Sequence, residues 1–193
     1  MRYNRIFSII PGGVIINDRV LVAYASFTGS TLYVAEVIAQ VLNQAGYTVD
    51  VFRMEDIRLL ASYSAAVLGT SIRLGKPLPE AIDFVRTYRA ALRHLKIAVF
   101  TTSITMRENT PEGRAKVQGY LAPLLNEIDT PISVGFIPGM LDSNNLSLYW
   151  RIRAPRDESG RIPEGDYRSL KVIQAWASEV AEKLSMNGSS PTA

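Results

Sequence analysis

The 193-residue chain contains no cysteine and a single histidine, His94. Without thiols there is no disulfide, no thiolate nucleophile and no cysteine-ligated iron–sulfur cluster. One imidazole cannot fill a histidine-based metal site, so no metal is expected and redox chemistry would fall to a bound organic cofactor. His94 sits among Arg89, Arg93 and Lys96 near the end of a helical pattern, where a surface cation complements the helix dipole. A surplus of one charge is also missing. Lys and Arg number 21 against 18 Asp and Glu, and no basic stripe is interleaved with aromatics, so nucleic acid is not an expected partner. With 47% hydrophobic and 20% charged residues, the composition is that of a globular protein with one well-buried core.

Residues 1–18 join Arg2 and Arg5 to an apolar stretch broken by Pro11-Gly12-Gly13. That stretch is too short to span a bilayer and no small-residue cleavage site follows it, so it reads as a flexible extension. Strand and helix patterns then alternate. Arg19 to Ala25, Tyr47 to Phe52, Ser64 to Leu68, Ile97 to Thr101 and Ile132 to Ile137 read as strands; Ser30 to Ala45, Pro79 to Leu92, Pro111 to Asn126 and Tyr167 to Leu184 read as helices. Such βα units in series predict an α/β domain over 19–185, a doubly wound five-stranded parallel sheet of order 2-1-3-4-5. Residues 186–193 read as a disordered tail. Residues 139–165 form a loop several times the usual length, with Leu146, Leu148, Tyr149, Trp150 and Ile152 among Arg151, Arg153 and Arg156.

In such a sheet the ligand sits at the carboxyl ends of the strands, where the strand order reverses. Three hydroxyl-rich loops converge there: Ser26 to Thr31, Thr70 to Lys76 and Thr102 to Thr110. Ser26-Phe27-Thr28-Gly29-Ser30-Thr31 opens a helix with backbone N–H groups and hydroxyls, a place that favours an anion. It has no Lys or Arg, which suits the terminal phosphate of a bound cofactor held by neutral donors. The same residues also fit an ordinary Ser/Thr-rich turn capped by Ser30 or Thr31. Other tenants of the architecture lack their parts. There is no acidic cluster for a phosphate-accepting receiver, no cysteine for a phosphatase loop, no G-x-x-x-x-G-K-[ST] and no G-x-G-x-x-G after the first strand.

Tyr24-Ala25-Ser26-x-Thr28-Gly29-x-Thr31-x-x-x-Ala35 resembles the FMN-phosphate signature of the flavodoxin family. Gly69-Thr70-Ser71-Ile72-Arg73-Leu74-Gly75-Lys76 resembles the second loop of one subgroup, flavodoxin-domain proteins similar to menaquinone-dependent protoporphyrinogen IX dehydrogenase. The likeness runs through Arg107 to Tyr120 and reaches the last helix around Trp176. It implies FMN as cofactor, bound by Ser26, Phe27, Thr28, Gly29, Ser30, Thr31, Thr70, Ser71, Ile72, Arg73, Leu74, Gly75, Thr102, Ser103 and Ile104. The segment before the last helix is shorter here than in that subgroup.

The resemblance implies an FMN-dependent oxidoreductase of haem biosynthesis that passes electrons from protoporphyrinogen IX to a quinone. The alternative is a flavodoxin-type carrier that docks to redox-protein partners and has no organic substrate of its own. Arg73 and Lys76 are candidate flavin-tuning residues, because a cation near the reduced, anionic flavin raises its two-electron potential; as solvated loop charges they would do nothing. Arg73, Arg107 and the 151–156 arginines would suit an anionic small-molecule substrate. Residues 146–156 carry the aromatic, apolar and basic groups of a peripheral membrane contact, or else fold back over the sheet edge. A cytoplasmic protein, peripheral on the inner face of the membrane, is the expectation.

Overall fold

The computed structural model describes residues 19–142, 149, 152, 160 and 162–186. The expected extension over 1–18, residues 187–193 of the expected 186–193 tail, and Leu146, Leu148, Trp150, Arg151, Arg153 and Arg156 of the long loop lie outside the described residues, whereas Met186, the first residue of that tail, is helical.

The apolar run Val20-Leu21-Val22-Ala23 has no polar side of its own, as a strand covered on both faces requires. It forms β1 (Arg19–Ala25), followed by α1 (Ser30–Gln44), β2 (Thr48–Arg53), β3 (Ala65–Arg73), β4 (Lys76–Pro77) and α2 (Pro79–Leu92). Then come β5 (Lys96–Ser103), α3 (Pro111–Leu125), β6 (Ser133–Pro138), β7 (Met140–Leu141), β8 (Gly165–Asp166) and α4 (Leu170–Met186). The long strands pair in parallel in the order β2-β1-β3-β5-β6. With the short arms left out this is the expected 2-1-3-4-5 order, reversing between β1 and β3.

Two boundaries differ from expectation by three residues or more, and one separate pairing was not expected. The third strand does not end at Leu68: it runs on to Arg73 and turns back, Ile72 and Arg73 pairing antiparallel with Pro77 and Lys76. Leu74 (φ 51°) and Gly75 (φ 73°) supply the left-handed backbone of a two-residue hairpin turn. The last helix begins at Leu170, not Tyr167. Asp166 takes the Arg168 N–H on its carboxylate and Ser169 Oγ accepts from Val172 N, so these residues turn the chain into the helix ahead of its first turn. A two-stranded antiparallel sheet, β7 with β8, closes the base of the long loop.

Alternation along the strands divides the core in two. Val20, Val22, Val67, Ala98 and Phe100 pack under α1 and α4, while Leu21, Ala23, Leu68, Ile97 and Val99 pack under α2 and α3. The closest packing lies on the α1/α4 face. A Cβ placed on Gly69 would stand 2.1 Å from Phe100 Cζ, and one on Gly135 would stand 2.6 Å from Trp176 Cε2. The two rings are 5.9 Å apart. Trp176 Nε1 donates to Ser133 Oγ at 2.9 Å, and Ser133 donates to Glu179. At the opposite end of the sheet from the expected site, Arg19 donates to Asp50 at 2.6 Å. Burial and the Asp50 carboxylate push the Tyr63 hydroxyl up to about 12.

Gly135→Ala forces the Trp176 indole off its seat, which we expect to cost about 1–3 kcal/mol. In a domain of this size that lowers the thermal midpoint by ~3–10 °C. Gly119→Ala, on an exposed stretch of α3 with nothing within 4 Å of the added methyl, should raise the midpoint slightly. Thermal denaturation of the two variants beside the parent protein checks both.

Candidate functional site

Strand β1 delivers the chain to its carboxyl end at Ala25, and the next four residues turn it into α1. Ser26 Oγ accepts from Gly29 N at 3.0 Å, closing the turn. Gly29 has φ 87° and a Cβ there would meet nothing within 4 Å, so the backbone conformation rather than lack of space calls for glycine. Gly29 offers no capping side chain, and the first N–H groups of a helix have no partner within it. By contrast, α3 is capped by Thr110, whose Oγ1 accepts from Gly113 N at 3.1 Å. The positive end of α1 therefore needs its partner from the space in front of it.

That space is a cavity of about 300 Å³ beside the β1/β3 switch point. Ser26, Phe27, Thr28, Ser30 and Thr31 form one side; Ser71, Ile72, Arg73, Leu74 and Gly75 come from the end of β3 and the hairpin; Thr102, Ser103 and Ile104 come from the end of β5. Thr31 Oγ1 and Thr102 Oγ1 share a buried hydrogen bond of 3.0 Å, tying the start of α1 to the sheet. Ser71 Oγ is the only buried side-chain polar atom without a partner among the described residues, and its residue lines the cavity. An orphaned hydroxyl beside an uncapped helix end fits a polar, phosphate-bearing ligand.

Two residues of the expected binding set stand outside the lining. Gly29 shapes the turn. Thr70 is fully buried: its Oγ1 accepts from Leu78 N at 3.1 Å and donates to Ser71 O, and its own carbonyl accepts from Thr101 Oγ1 at 2.9 Å. The reason is the unexpected length of β3, since a strand alternates its side chains. Ser71 turns toward α1 and Thr70 toward α2, where it holds the helix start. The tuning candidates separate as well. Arg73 lines the cavity with its guanidinium 4.4 Å from the centre of the Phe27 ring, so the cation spans from the hairpin to the β1–α1 turn. Lys76 is exposed and outside the lining; it lies on the outer arm of the hairpin, one strand further from the cavity. Arg107 is also outside the lining and pairs with Glu108 at 3.0 Å.

Sequence reasoning missed Thr105, Tyr120, Gly139, Met140 and Leu141, which complete the lining. A Cβ on Gly75 would stand 3.0 Å from the Tyr120 ring, so α3 supports the hairpin tip through that ring. Gly139 to Leu141 form a wall anchored on several sides. Gly139 N donates to Ser103 O and Gly139 O accepts from Tyr167 N, while Met140 pairs with Asp166. Met140 N also donates to Ser30 Oγ at 3.3 Å. Asp166 holds Arg168 in a two-pronged salt bridge, and the guanidinium lies 4.4 Å from the Tyr33 ring centre on α1. The abnormal length of the loop starting at Gly139 was the one signal for this wall. Among the described residues no group of His, Cys, Asp and Glu is placed to hold a metal, and no helix is long and apolar enough to cross a membrane.

Fold and site together define a doubly wound α/β protein whose ligand cavity opens at the strand-order reversal. The family model described as flavodoxin domain matches residues 21–153, and the chain belongs to that family. Membership implies a bound flavin, FMN. A curated relative, protoporphyrinogen IX dehydrogenase [quinone] of Leishmania major, is 24% identical over 86% of this chain and 75% of its own. Among solved structures, flavodoxin 2 of Bacillus cereus matches with a TM-score of 0.52 and 23% identity, covering 86% of this chain and 99% of that one. The two-electron reduced flavodoxin of Megasphaera elsdenii matches at 0.51 and 17%, covering 82% and 98%. The rubredoxin:oxygen oxidoreductase of Desulfovibrio gigas matches at 0.52 and 15% over 90% of this chain, which spans only 37% of that larger protein.

The Arg168 guanidinium, bonded to the Asp166 carboxylate, holds that carboxyl below its ordinary value. A depressed folded value means that the carboxylate's contribution is fully present above the ordinary aspartate range and is lost as pH falls through the folded value. We therefore expect the Asp166 carbon signal in an NMR titration to move at lower pH than a model aspartate. The Arg168 amide, bonded to the same carboxylate, should shift with it.

Proposed function

We propose that this protein is an FMN-dependent oxidoreductase that takes electrons from an organic substrate and passes them to a quinone. The resemblance of its hairpin and phosphate loop, and the Leishmania major relative, point to protoporphyrinogen IX as the substrate. The observation that carries the reading is the polarity of the cavity: hydroxyls and an uncapped helix end at one side, a cation and apolar groups at the other. FMN, when bound, supplies the hydride and electron transfer. The chain supplies position and electrostatics. Ser26, Thr28 and Ser30, with the first N–H groups of α1, hold the phosphate; Ile72, Leu74, Ile104 and Tyr120 exclude water from the ring end. Arg73 holds a positive charge on the cavity wall and favours the reduced, negatively charged cofactor.

A second reading, an electron carrier without an organic substrate of its own, draws support from size. A cavity of about 300 Å³ is at the lower end for small-molecule sites, and a mononucleotide fills it alone. Anaerobic oxidation of protoporphyrinogen IX with a menaquinone analogue as acceptor separates the two. Stoichiometric turnover supports the enzyme; a flavin-loaded protein that reduces no quinone and oxidises no porphyrinogen leaves the carrier.

Thr28→Ala removes a hydroxyl that faces the phosphate, so FMN affinity should fall about ten- to a hundredfold while riboflavin affinity stays unchanged. Equal weakening of both ligands would remove Ser26 to Thr31 as the phosphate loop. Arg73→Glu should lower the two-electron potential of the bound flavin, read by equilibration with indicator dyes; an unchanged potential would mean the guanidinium is not a tuning group. Peripheral membrane contact through 146–156 belongs to the same proposal, supported by Tyr149 and Ile152, which are 53% and 67% exposed. Sedimentation with anionic vesicles should pull the protein down at low salt and release it at high salt, and Tyr149→Ala, Ile152→Ala should weaken pelleting. A protein that stays in the supernatant at low salt counts against the contact.

A further inference from the structure

Asp166, Arg168 and Tyr33 lie outside the cavity, yet their side chains meet at its wall. Arg168 is gripped by Asp166 through Nε at 2.7 Å and through Nη2, and its Nη2 also approaches Met140 Sδ at 3.6 Å. Its guanidinium carbon lies over the Tyr33 ring of α1, 4.4 Å from the ring centre. Asp166 in turn is the strand partner of Met140. The backbone N–H of Met140 points away from this cluster to Ser30 Oγ, at 3.3 Å. A serine hydroxyl has one proton to give and two lone pairs to receive. With one lone pair taken by Met140 N–H, the hydroxyl proton of Ser30 is left to donate elsewhere, and Ser30 lines the cavity at the uncapped end of α1.

We propose that Arg168 is a positioning residue for the anion site: through Asp166 and Met140 it holds the Met140 N–H on Ser30 Oγ, and so turns the Ser30 proton toward a bound phosphate. Tyr33 is the seat of the clamp. Its ring, not its hydroxyl, is what the guanidinium needs, and a planar fork that both stacks and grips a carboxylate at two points is a property of arginine that lysine does not share. The inference rests on the reading of the cavity as an FMN site for its consequence, but the clamp itself exists in the ligand-free protein and is tested there as well.

Two measurements on the full chain decide it. The first is hydrogen exchange of the Met140 amide without ligand. Exchange should speed up in Arg168→Gln, Arg168→Lys and Tyr33→Leu and stay at the parent rate in Tyr33→Phe; an unchanged rate in Arg168→Gln overturns the clamp whatever binds in the cavity. The second is the affinity of FMN and riboflavin, read by quenching of flavin fluorescence. Arg168→Gln should weaken FMN about three- to tenfold and leave riboflavin unchanged. In a Ser30→Ala background, where there is no proton left to orient, Arg168→Gln should weaken FMN no further. Equal weakening of both flavins, or losses that multiply in the double variant, would reduce Arg168 to a structural strut. Failure of the parent protein to bind FMN, with Met140 exchange responding as expected, would retire the FMN reading and with it the role of Arg168 toward phosphate.

Discussion

Successive side chains of a strand face opposite ways, and at the carboxyl ends of β3 and β5 this one constraint sorts the hydroxyls into two jobs. Ser71 and Thr102, partners in register, turn toward α1 and line the cavity. Thr70 and Thr101, one residue earlier, turn toward α2 and α3 and satisfy Leu78 N and the β3 backbone. A slip of one residue would exchange the sets, leaving the α2 start without its acceptor and the cavity without its hydroxyls. Close packing of Phe100 and Trp176 on Gly69 and Gly135 resists such a slip, because in any other register those rings would meet side chains.

The parallel sheet was legible because its strands are short, apolar and separated by amphipathic helical stretches. Long βα units permit few topologies. The turn from β1 into α1 was legible because strand, Gly-containing turn and helix follow one another within a dozen residues. The parts that were not legible are made of weak, distant or two-residue pairings. The turn at Leu74-Gly75 lacks the Asn-Gly or Asp-Gly signal of a tight hairpin, and its return arm contains Pro77, so the end of β3 read as loop. Thr70 was then taken for a ligand contact by position in that loop. The β7–β8 pair joins residues from the two ends of the long insertion, and no local pattern in Met140-Leu141 or Gly165-Asp166 announces it. The start of α4 was not legible because Tyr167 continues the apolar spacing of the helix, while the hydrogen bond from Val172 N to Ser169 Oγ starts it three residues later.

The cavity wall carries few formal charges among the described residues. Among the described residues Arg73 is the one basic residue in the lining and no carboxylate joins it; the rest is hydroxyls, backbone N–H groups and apolar surface. Neutral donors bind an anion without needing a counter-charge when the site is empty, which spares the ligand-free fold an unpaired buried cation. The cation that is present has a partner of its own in the Phe27 ring.

The first and the last helices share one core. Val34, Ile38 and Leu42 of α1 pack with Ile173, Trp176, Val180 and Leu184 of α4 in the cluster that also holds Phe100. During synthesis α1 and the Ser26 to Thr31 turn leave the ribosome well ahead of α4, so the apolar side of α1 has no complete cover until some 140 residues later. The cavity beside α1 therefore takes its final form only once α4 has been made and packed, and not when the residues that line it from β1 and β3 first appear. A chain interrupted before α4 carries the whole Ser26 to Thr31 turn and yet exposes the greasy side of the helix that follows it, which marks it for chaperones and proteases.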